Sequence, residues 1–430
     1  MSESLHKKNT GISINHSVDV AILGAGLVGV VTALFLRKRG VRVAIVEEKD
    51  LLSPQKTASS PLKDGRTTAI SYGSSLILKK AGLWDQIMSH ASPIHRIKTF
   101  EAHTPFSLVF DQDLLKNSQE ESSPLGYMVD NHTLRTLFHG ALQTDENLLL
   151  KKKTTVTKFI PHDTCVNLSL SDGTSLQAKL VIGAEGRHSP SRRHFGIRSY
   201  TRDYGHTALV AEIFHENPHD YTAFEVFHPK GPLAFLPMPS QRADDITDLS
   251  PHPHTILKHK SALVWSCSDA LESLDHDTLL CRINELFPYL GKIAFASSPS
   301  FYPLSYQKTS CLVGKRYALV GDAGHVMHPV AGQGVNLGWR DADVLCKKIT
   351  KACSLGLDIG NTTLLTEYAA HRKKDQIPLL MTTHSLIKLF AIEPKGPLTK
   401  LIQLGRSYGL GLVNRSPTLK RFLMKKAMGV

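Results

Sequence analysis

The sequence predicts an α/β protein: a parallel sheet interrupted by a mostly antiparallel one, then a helical C-terminal segment. Three observations carry this expectation. A strand–helix–strand unit is readable near the N-terminus. A further buried strand, Tyr317 to Val320, resumes the same pattern late in the chain. Between them, roughly Arg198 to Pro303, short runs with Pro and Gly between them alternate apolar and polar residues, as half-buried antiparallel strands do.

The first unit is read residue by residue. Val18 to Leu23 is an apolar run that ends in Gly24. Leu27, Val31, Leu34 and Phe35 then recur at helical spacing up to Gly40, where a helix stops. Val41 to Val46 is a second, β-branched strand, and two such strands joined by a helix must lie parallel. Later strands are expected at Val156 to Ile160, Val166 to Leu170 and Lys179 to Ile182. Others are expected at Ala208 to Phe214, Ala223 to Phe227 and Ala262 to Ser266. Ser240 to Lys260 reads as a loop, Met1 to Ser17 as a loose leader, and the chain after Asp341 as helical.

Composition narrows the class. A chain of 430 residues is long for one core and fits two domains with a tail. Its 41% hydrophobic and 21% charged residues are those of a globular protein. The polar N-terminus has no signal-peptide core, and no apolar run is long enough to span a membrane, so a cytoplasmic protein is expected. The six cysteines form no CxxC pair and, with the scattered histidines, no zinc spacing; buried, reduced thiols and no metal are expected. From Ser385 to Val430, nine Lys or Arg face one acid, Glu393, among Leu, Ile and Phe, and Pro394, Pro397 and Pro417 divide the segment into short helices. That pattern suits the inner membrane surface, an acidic protein partner or a solvated face. Nucleic acid is disfavoured, since no recognition motif accompanies the charge.

Two motifs carry chemistry. In Gly24-Ala25-Gly26-Leu27-Val28-Gly29, the first glycine permits a tight turn and the second lets backbone approach a pyrophosphate. The third lets helix and strand pack closely. The helix N-terminus offers free N–H groups to phosphate. Glu47, directly after the second strand, is placed to accept ribose hydroxyls; Glu48 competes for that role. The second motif is Gly321-Asp322-Ala323-Gly324-His325, then Pro329 and Gly332-Gln333-Gly334-Val335-Asn336. Asp322 lies at the carboxyl end of a strand, where open α/β sheets bind ligands, and can accept from a ribityl hydroxyl. A helix expected to begin near Asn336 would point its N–H groups at the N1/O2 edge of a flavin.

At these residues the chain resembles the aromatic-ring hydroxylase flavoproteins, and within them the ubiquinone-biosynthesis branch, from about Val18 to Val430. Asp64-Gly65-Arg66-Thr67-Thr68-Ala69-Ile70-Ser71 is similar to the branch's D-x-R-x-x-A-L-S, and Ala81-Gly82-Leu83-Trp84 to its L-G-L-W. Leu125-Gly126-Tyr127 with Asn131 and Arg135 matches the next helix start, and Gly231 to Pro237 the branch's G-P-L-A-L-L-P. Met327-His328-Pro329 and Arg340-Asp341-Ala342 complete the likeness. Two departures stand out: Glu185 replaces the aspartate of G-A-D-G, which puts NAD(P)H use in question, and Gly324 replaces an alanine.

The resemblance implies a Rossmann-type FAD-binding domain formed by 18–85, 126–197 and 311–360. It implies a substrate domain formed by 86–125 and 198–310, and a helical segment 361–430. It implies noncovalent FAD held by Gly24, Gly26, Gly29, Glu47, Arg66, Arg135, Gly321, Asp322, Gly332, Gly334 and Asn336. It further implies hydroxylation of a prenylated phenol or quinone precursor by O2 through a flavin hydroperoxide. Electrons come from NAD(P)H or a separate redox protein. His328 is placed to assist a phenol proton or to make a structural hydrogen bond, and Pro329 to shape the loop. Leu233, Phe235 and Leu236 are expected to line the pocket or to be sheet core. Two other readings share the scaffold: a flavin reductase of lipid double bonds, and a non-catalytic flavin-bearing subunit of a quinone-synthesis assembly. A halogenase lacks its Trp-x-Trp-x-Ile-Pro motif here.

Overall fold

The computed structural model describes residues 15–51, 65–101, 107–115, 123–228, 231–240, 257–267, 270–327, 332–391 and 414–430. Two large sheets meet through a small third one. In the first, β1 (His16–Leu23) pairs parallel with β2 (Val43–Glu47) on one side and with Ser175–Gly183 on the other. Tyr317–Leu319 and Leu149–Lys152 add one parallel strand at each flank. The helix α1 (Leu27–Arg37) joins β1 to β2, and its residues from Gly29 to Leu36 are all buried. A strand covered on both faces reads as continuously apolar, and Val20, Ala21 and Ile22 have no exposed surface.

The second sheet has nine strands. Its centre is antiparallel: the long strand Ser199–His215 pairs with His259–Cys267 and with Ser300–Thr309, and Gly231–Pro237 joins His259–Cys267 to Thr222–His228. Arg96–Glu101 then adds in parallel to Thr222–His228. A three-stranded sheet of Thr67–Ser71, Gly126–Asp130 and Ser92–Ile94 bridges the two.

Three helices follow among the described residues. Gln333–Ser354 starts three residues before the position expected from sequence, because Gly332 turns the chain in a left-handed conformation and serves as its N-cap. Thr362–Ala391 is one 30-residue helix, so Ser385 to Ala391 closes it rather than forming a short helix of its own. Pro417–Met428 is capped by Ser416. Pro394, Pro397 and most of the expected 240–260 loop lie outside the described residues, although Lys260 belongs to a strand. The leader as far as residue 14 also lies outside the described residues; the first strand takes up His16. Cys281, Cys311 and Cys353 are exposed, against the expectation of buried thiols; all six cysteines are free. No helix among the described residues is long and apolar enough to cross a membrane.

Candidate active site

The glycine turn after β1 is built by close contacts. Gly24 has φ +101°, and a Cβ there would stand 2.7 Å from the Ala184 carbonyl oxygen. A Cβ on Gly29 would strike the Gly24 carbonyl at 2.1 Å, so helix and turn touch backbone to backbone. Gly26 differs: a Cβ would meet nothing within 4 Å. It is the N-cap of α1 and supplies no side-chain cap, so the first N–H groups of the helix face open space.

Glu47 lies over this turn. Its Oε2 accepts from the Ala25 N–H at 2.6 Å, and its Oε1 from the Lys49 N–H at 2.9 Å. On the other side of Ala25, His139 Nε2 donates to the Ala25 carbonyl at 3.0 Å. Burial lowers the His139 pKa, opposed by the Ala25 bond and by Glu47 and assisted by Arg135. Arg135 and His139 therefore stand at the Glu47 end of the turn, on the helix Asn131–Gln143. His139 escaped the sequence reading; a lone histidine four residues after Arg135 carries no signal until the fold brings it to Ala25.

The second motif is clamped from behind. Gly321, at φ +59°, gives its N–H to Asp341 Oδ2 at 2.9 Å, and His325 Nε2 donates to the same oxygen at 2.6 Å. Arg372 Nε donates to Asp341 Oδ1 at 2.6 Å, and Gln376 adds a bond at 3.2 Å. Burial alone would raise the Asp341 pKa, but His325 and Arg372 hold it at about 2. A Cβ on Gly324 would come 2.7 Å from Leu312 Cδ2, which explains glycine where the family has alanine.

Asp322 faces away from this clamp. It is exposed, yet protein surrounds it closely, which places it on a cavity wall. Burial raises its pKa, His325 and Arg187 oppose the rise, and Asp341 adds to it.

Gly332 and Gly334 open the other rim. A Cβ on Gly332 would stand 3.0 Å from Ala69 Cβ, while one on Gly334 would meet nothing within 4 Å. Asn336 points inward: its Oδ1 accepts from the Ser71 N–H at 2.9 Å, and its Nδ2 donates to the Ala69 and Gly332 carbonyls at 2.7 and 3.0 Å. It pins the strand that follows Arg66 to the start of the Gln333–Ser354 helix. Arg66 is half-buried with its guanidinium 5.3 Å from the Tyr302 ring centre. His328 and Pro329 lie outside the described residues.

Glu185 turns into the loop that follows it. Its carboxylate accepts from the Ser189 and Ser191 hydroxyls, and burial raises its pKa against those bonds.

Leu233 and Phe235 fall on the far face of the second sheet. They have 0% and 1% exposure, and Phe235 stacks on Phe287 at 4.9 Å. They are core, not pocket lining; Leu236 is on the opposite face, beside Ala69 and Ala262. The two-residue period of a strand decides this.

Two open glycine rims, two helix N-termini without side-chain caps, and a cavity-facing carboxylate between them match the pyrophosphate, flavin edge and ribityl hydroxyls of FAD. The residues present fit that group. The chain matches the FAD binding domain family over residues 17–250 and 303–377, and it belongs to that family. Fold and site together are those of an FAD-dependent monooxygenase. Among individual relatives, it is 36% identical to ubiquinone hydroxylase UbiL of Rhodospirillum rubrum, over 97% of this chain and 91% of that protein. It is 31% identical to 3-demethoxyubiquinol 3-hydroxylase of Escherichia coli, over 97% of this chain and 100% of that one. The crystal structure of p-nitrophenol 4-monooxygenase PnpA from Pseudomonas putida shares the fold, with a TM-score of 0.74 at 19% identity, covering 96% of this chain and 99% of that one.

Proposed function

We propose that this chain hydroxylates the ring of a prenylated phenol, a precursor of ubiquinone, with FAD held noncovalently and O2 as co-substrate. The observation that carries the reading is the apposition of the Gly332 rim to the sheet face bearing Leu236, through Ala69. A ring seated there lies between the flavin edge and an apolar wall. The names of relatives that match 97% of the chain favour hydroxylation over a lipid reductase or a non-catalytic subunit.

Bound FAD supplies the activated oxygen. The chain's own residues do the rest. Gly24, Gly26 and Gly29 admit the pyrophosphate, and Glu47 takes the ribose with Arg135 nearby. Gly321 and Asp322 take the ribityl chain, and Gly332 and Gly334 take the ring edge with Arg66 alongside. Asn336 acts through backbone, by fixing Ala69 and Gly332. His328 and Pro329 remain assigned to the substrate-side loop. Pairing of the strands supports the division into an FAD-binding part (18–85, 126–197, 311–360), a substrate part (86–125, 198–310) and a helical segment (361–430). Electrons come from NAD(P)H entering a shared cleft or from a separate redox protein.

The helix Pro417–Met428 exposes Leu419, Phe422 and Leu423 beside Arg421, Lys425 and Lys426. That face suits peripheral attachment to an anionic membrane, where a prenylated substrate dissolves. A cytoplasmic position on the inner membrane face follows. Docking on acidic partners in a quinone-synthesis assembly is the other use of the same charge.

The test is oxygen uptake by the purified, FAD-loaded protein with 2-(3-methylbut-2-enyl)phenol, matched to a hydroxylated product by mass spectrometry. Oxygen consumed without that product, or no consumption with any electron donor, would overturn the reading.

A further inference from the structure

Among the described residues, the substrate-side face of the second sheet carries one carboxyl with no partner, Glu225. Glu225 lies in the strand Thr222–His228, directly between Thr99 and Ala234 on the flanking strands. Ala234 is in turn level with Val264. Cross-strand partners share a face, and residues two apart on a strand share it too. Glu225 therefore lies on the face of Ala223, Leu236 and Ala262, which pack towards Ala69 and the Gly332 rim. Phe224 and Val226, one residue to each side, point into the opposite core.

This face is not fully covered. Glu225, Ala234, Leu236 and Val264 keep accessible surface although they sit on inner strands, while Phe224, Leu233, Phe235 and Leu263 beside them are buried. Protein surrounds Glu225 closely at the same time. A group that is ringed by protein yet accessible lines an internal space. The described walls at this level are Thr99, Ala234, Val264 and Val210, so the carboxyl is the strong acceptor among them.

We propose that Glu225 is a catalytic residue of this site, whose carboxylate takes the proton of the substrate's ring hydroxyl so that the ring reacts as its phenolate. This rests on the function proposed above. The phenol O–H bond breaks and leaves its electron pair on oxygen; a new O–H bond forms on Glu225; no electrons change owner. The proton then leaves to water through the cavity. A phenolate is the more electron-rich ring, which is what transfer of an electrophilic oxygen requires. An unpaired carboxyl in such a place is costly to fold around, and its retention calls for a partner that arrives later.

Among the described side chains, the charge environment suits the task. Burial alone pushes the Glu225 carboxyl up to about 7. On the neighbouring strands, Arg96 pairs with Asp111 and Lys98 lies over Tyr289. On its own face Lys260 is taken by Glu212 at 2.9 Å, four residues along from Val264. On the helix Thr362–Ala391, which packs against these strands, Asp375 pairs with Arg340 and Arg372, and Glu367 with Lys348. A base with such a pKa is half in the accepting form at neutral pH, where general-base catalysis is most effective.

The experiment uses FAD-loaded wild type, Glu225→Gln and Glu225→Asp with 2-(3-methylbut-2-enyl)phenol. A single turnover after photochemical reduction of the flavin, with O2 admitted, reads the hydroxylation rate without any donor, and its pH profile reads the base. In wild type the rate is expected to rise with pH through a midpoint near 7, as the accepting form of Glu225 is populated. In E225Q hydroxylation should fall about 100-fold and lose that midpoint while the probe still binds. In E225D the midpoint should move while FAD stays bound. E225Q that keeps the wild-type rate and profile overturns the proposal alone. If E225Q loses FAD, an unmoved midpoint in E225D overturns it instead. Wild type that forms no product, or does not bind the probe, overturns the proposed function and with it the role of Glu225.

Discussion

The indole N–H of Trp339 donates to the carbonyl oxygen of Leu27 at 2.9 Å, and neither partner is near the other in sequence. Trp339 has no exposed surface. The bond ties the Gln333–Ser354 helix to the first residue of α1, so the two helix N-termini that face the cofactor space are held as one body. Close packing reinforces it: Cβ atoms on Gly321 and Gly338 would stand 3.1 and 2.6 Å from Val28 Cγ2.

Replacing Trp339 with Phe keeps most of the volume and removes this hydrogen bond, leaving the Leu27 carbonyl only its bond within α1. The expected loss is about 0.5–1.5 kcal/mol of stability, the net contribution of one hydrogen bond. Thermal unfolding of apo and FAD-loaded protein measures it. If the bond aligns both rims, FAD should also dissociate faster; unchanged release would limit Trp339 to packing.

Asp322→Ala removes the cavity-facing carboxylate without disturbing the clamp behind it. A charge-assisted hydrogen bond contributes about 1.5–3 kcal/mol, so FAD affinity should fall about 10- to 100-fold. Flavin fluorescence during titration of apo protein reads this directly. Full affinity in the variant would detach Asp322 from the cofactor.

Asp341→Asn should be far more damaging to the fold, since it takes from the buried Arg372 the fully buried one of its two carboxylate partners and leaves it only Asp375, at a cost of up to about 3–5 kcal/mol. The pH dependence follows from the sign of the shift. Asp341 titrates at about 2 in the folded chain, against about 3.9 when unfolded. Its contribution is therefore complete above the unfolded value and disappears as pH falls towards 2. Wild type should lose stability through that window, and D341N should lose less of it. Parallel acid-denaturation curves would show Asp341 is not the responsible group.

Phe235→Ala should destabilise by about 3–5 kcal/mol, as a large side chain removed from a packed core does. Phe235→Asp should fail to fold, so it is no test of the pocket. Leu236→Asp is the informative change: FAD should remain bound while 2-(3-methylbut-2-enyl)phenol loses affinity. Equal phenol binding in L236D would move the substrate elsewhere.

At the C-terminus, truncation after His384 removes Met424 and Met428, which pack on Leu125 and Tyr72, and so disturbs the fold. Phe422→Glu with Leu423→Glu changes only exposed positions. The double variant should co-sediment less with anionic liposomes at low salt, and moderate salt should weaken wild-type binding. Indistinguishable sedimentation would remove this helix from membrane attachment.

The sequence by itself determined the glycine turns proposed above to receive the cofactor. Gly24, Gly26 and Gly29 are demanded by local sterics, and an apolar strand, helix and strand in succession leave little choice but a parallel sheet. The second glycine rim and Asp322 were legible for the same reason: backbone conformation is encoded within a few residues. What the sequence left open depends on which face a strand presents and what crosses it. For Leu233 and Phe235 the sequence leaves pocket lining and sheet core both open, and the register of Gly231–Pro237 against His259–Cys267 turns them into the core. Glu225 gave no signal, because a single acid in an alternating strand usually faces solvent; the cavity over that face exists only once the sheet meets the Gly332 rim. Asp341 looked like one residue of a helix motif, and only the arrival of His325 and Arg372 from elsewhere in the chain makes it the buried anchor of the turn. Local geometry is written in neighbouring residues, whereas burial and electrostatics are set by residues distant in sequence, and those the tertiary structure alone brings together.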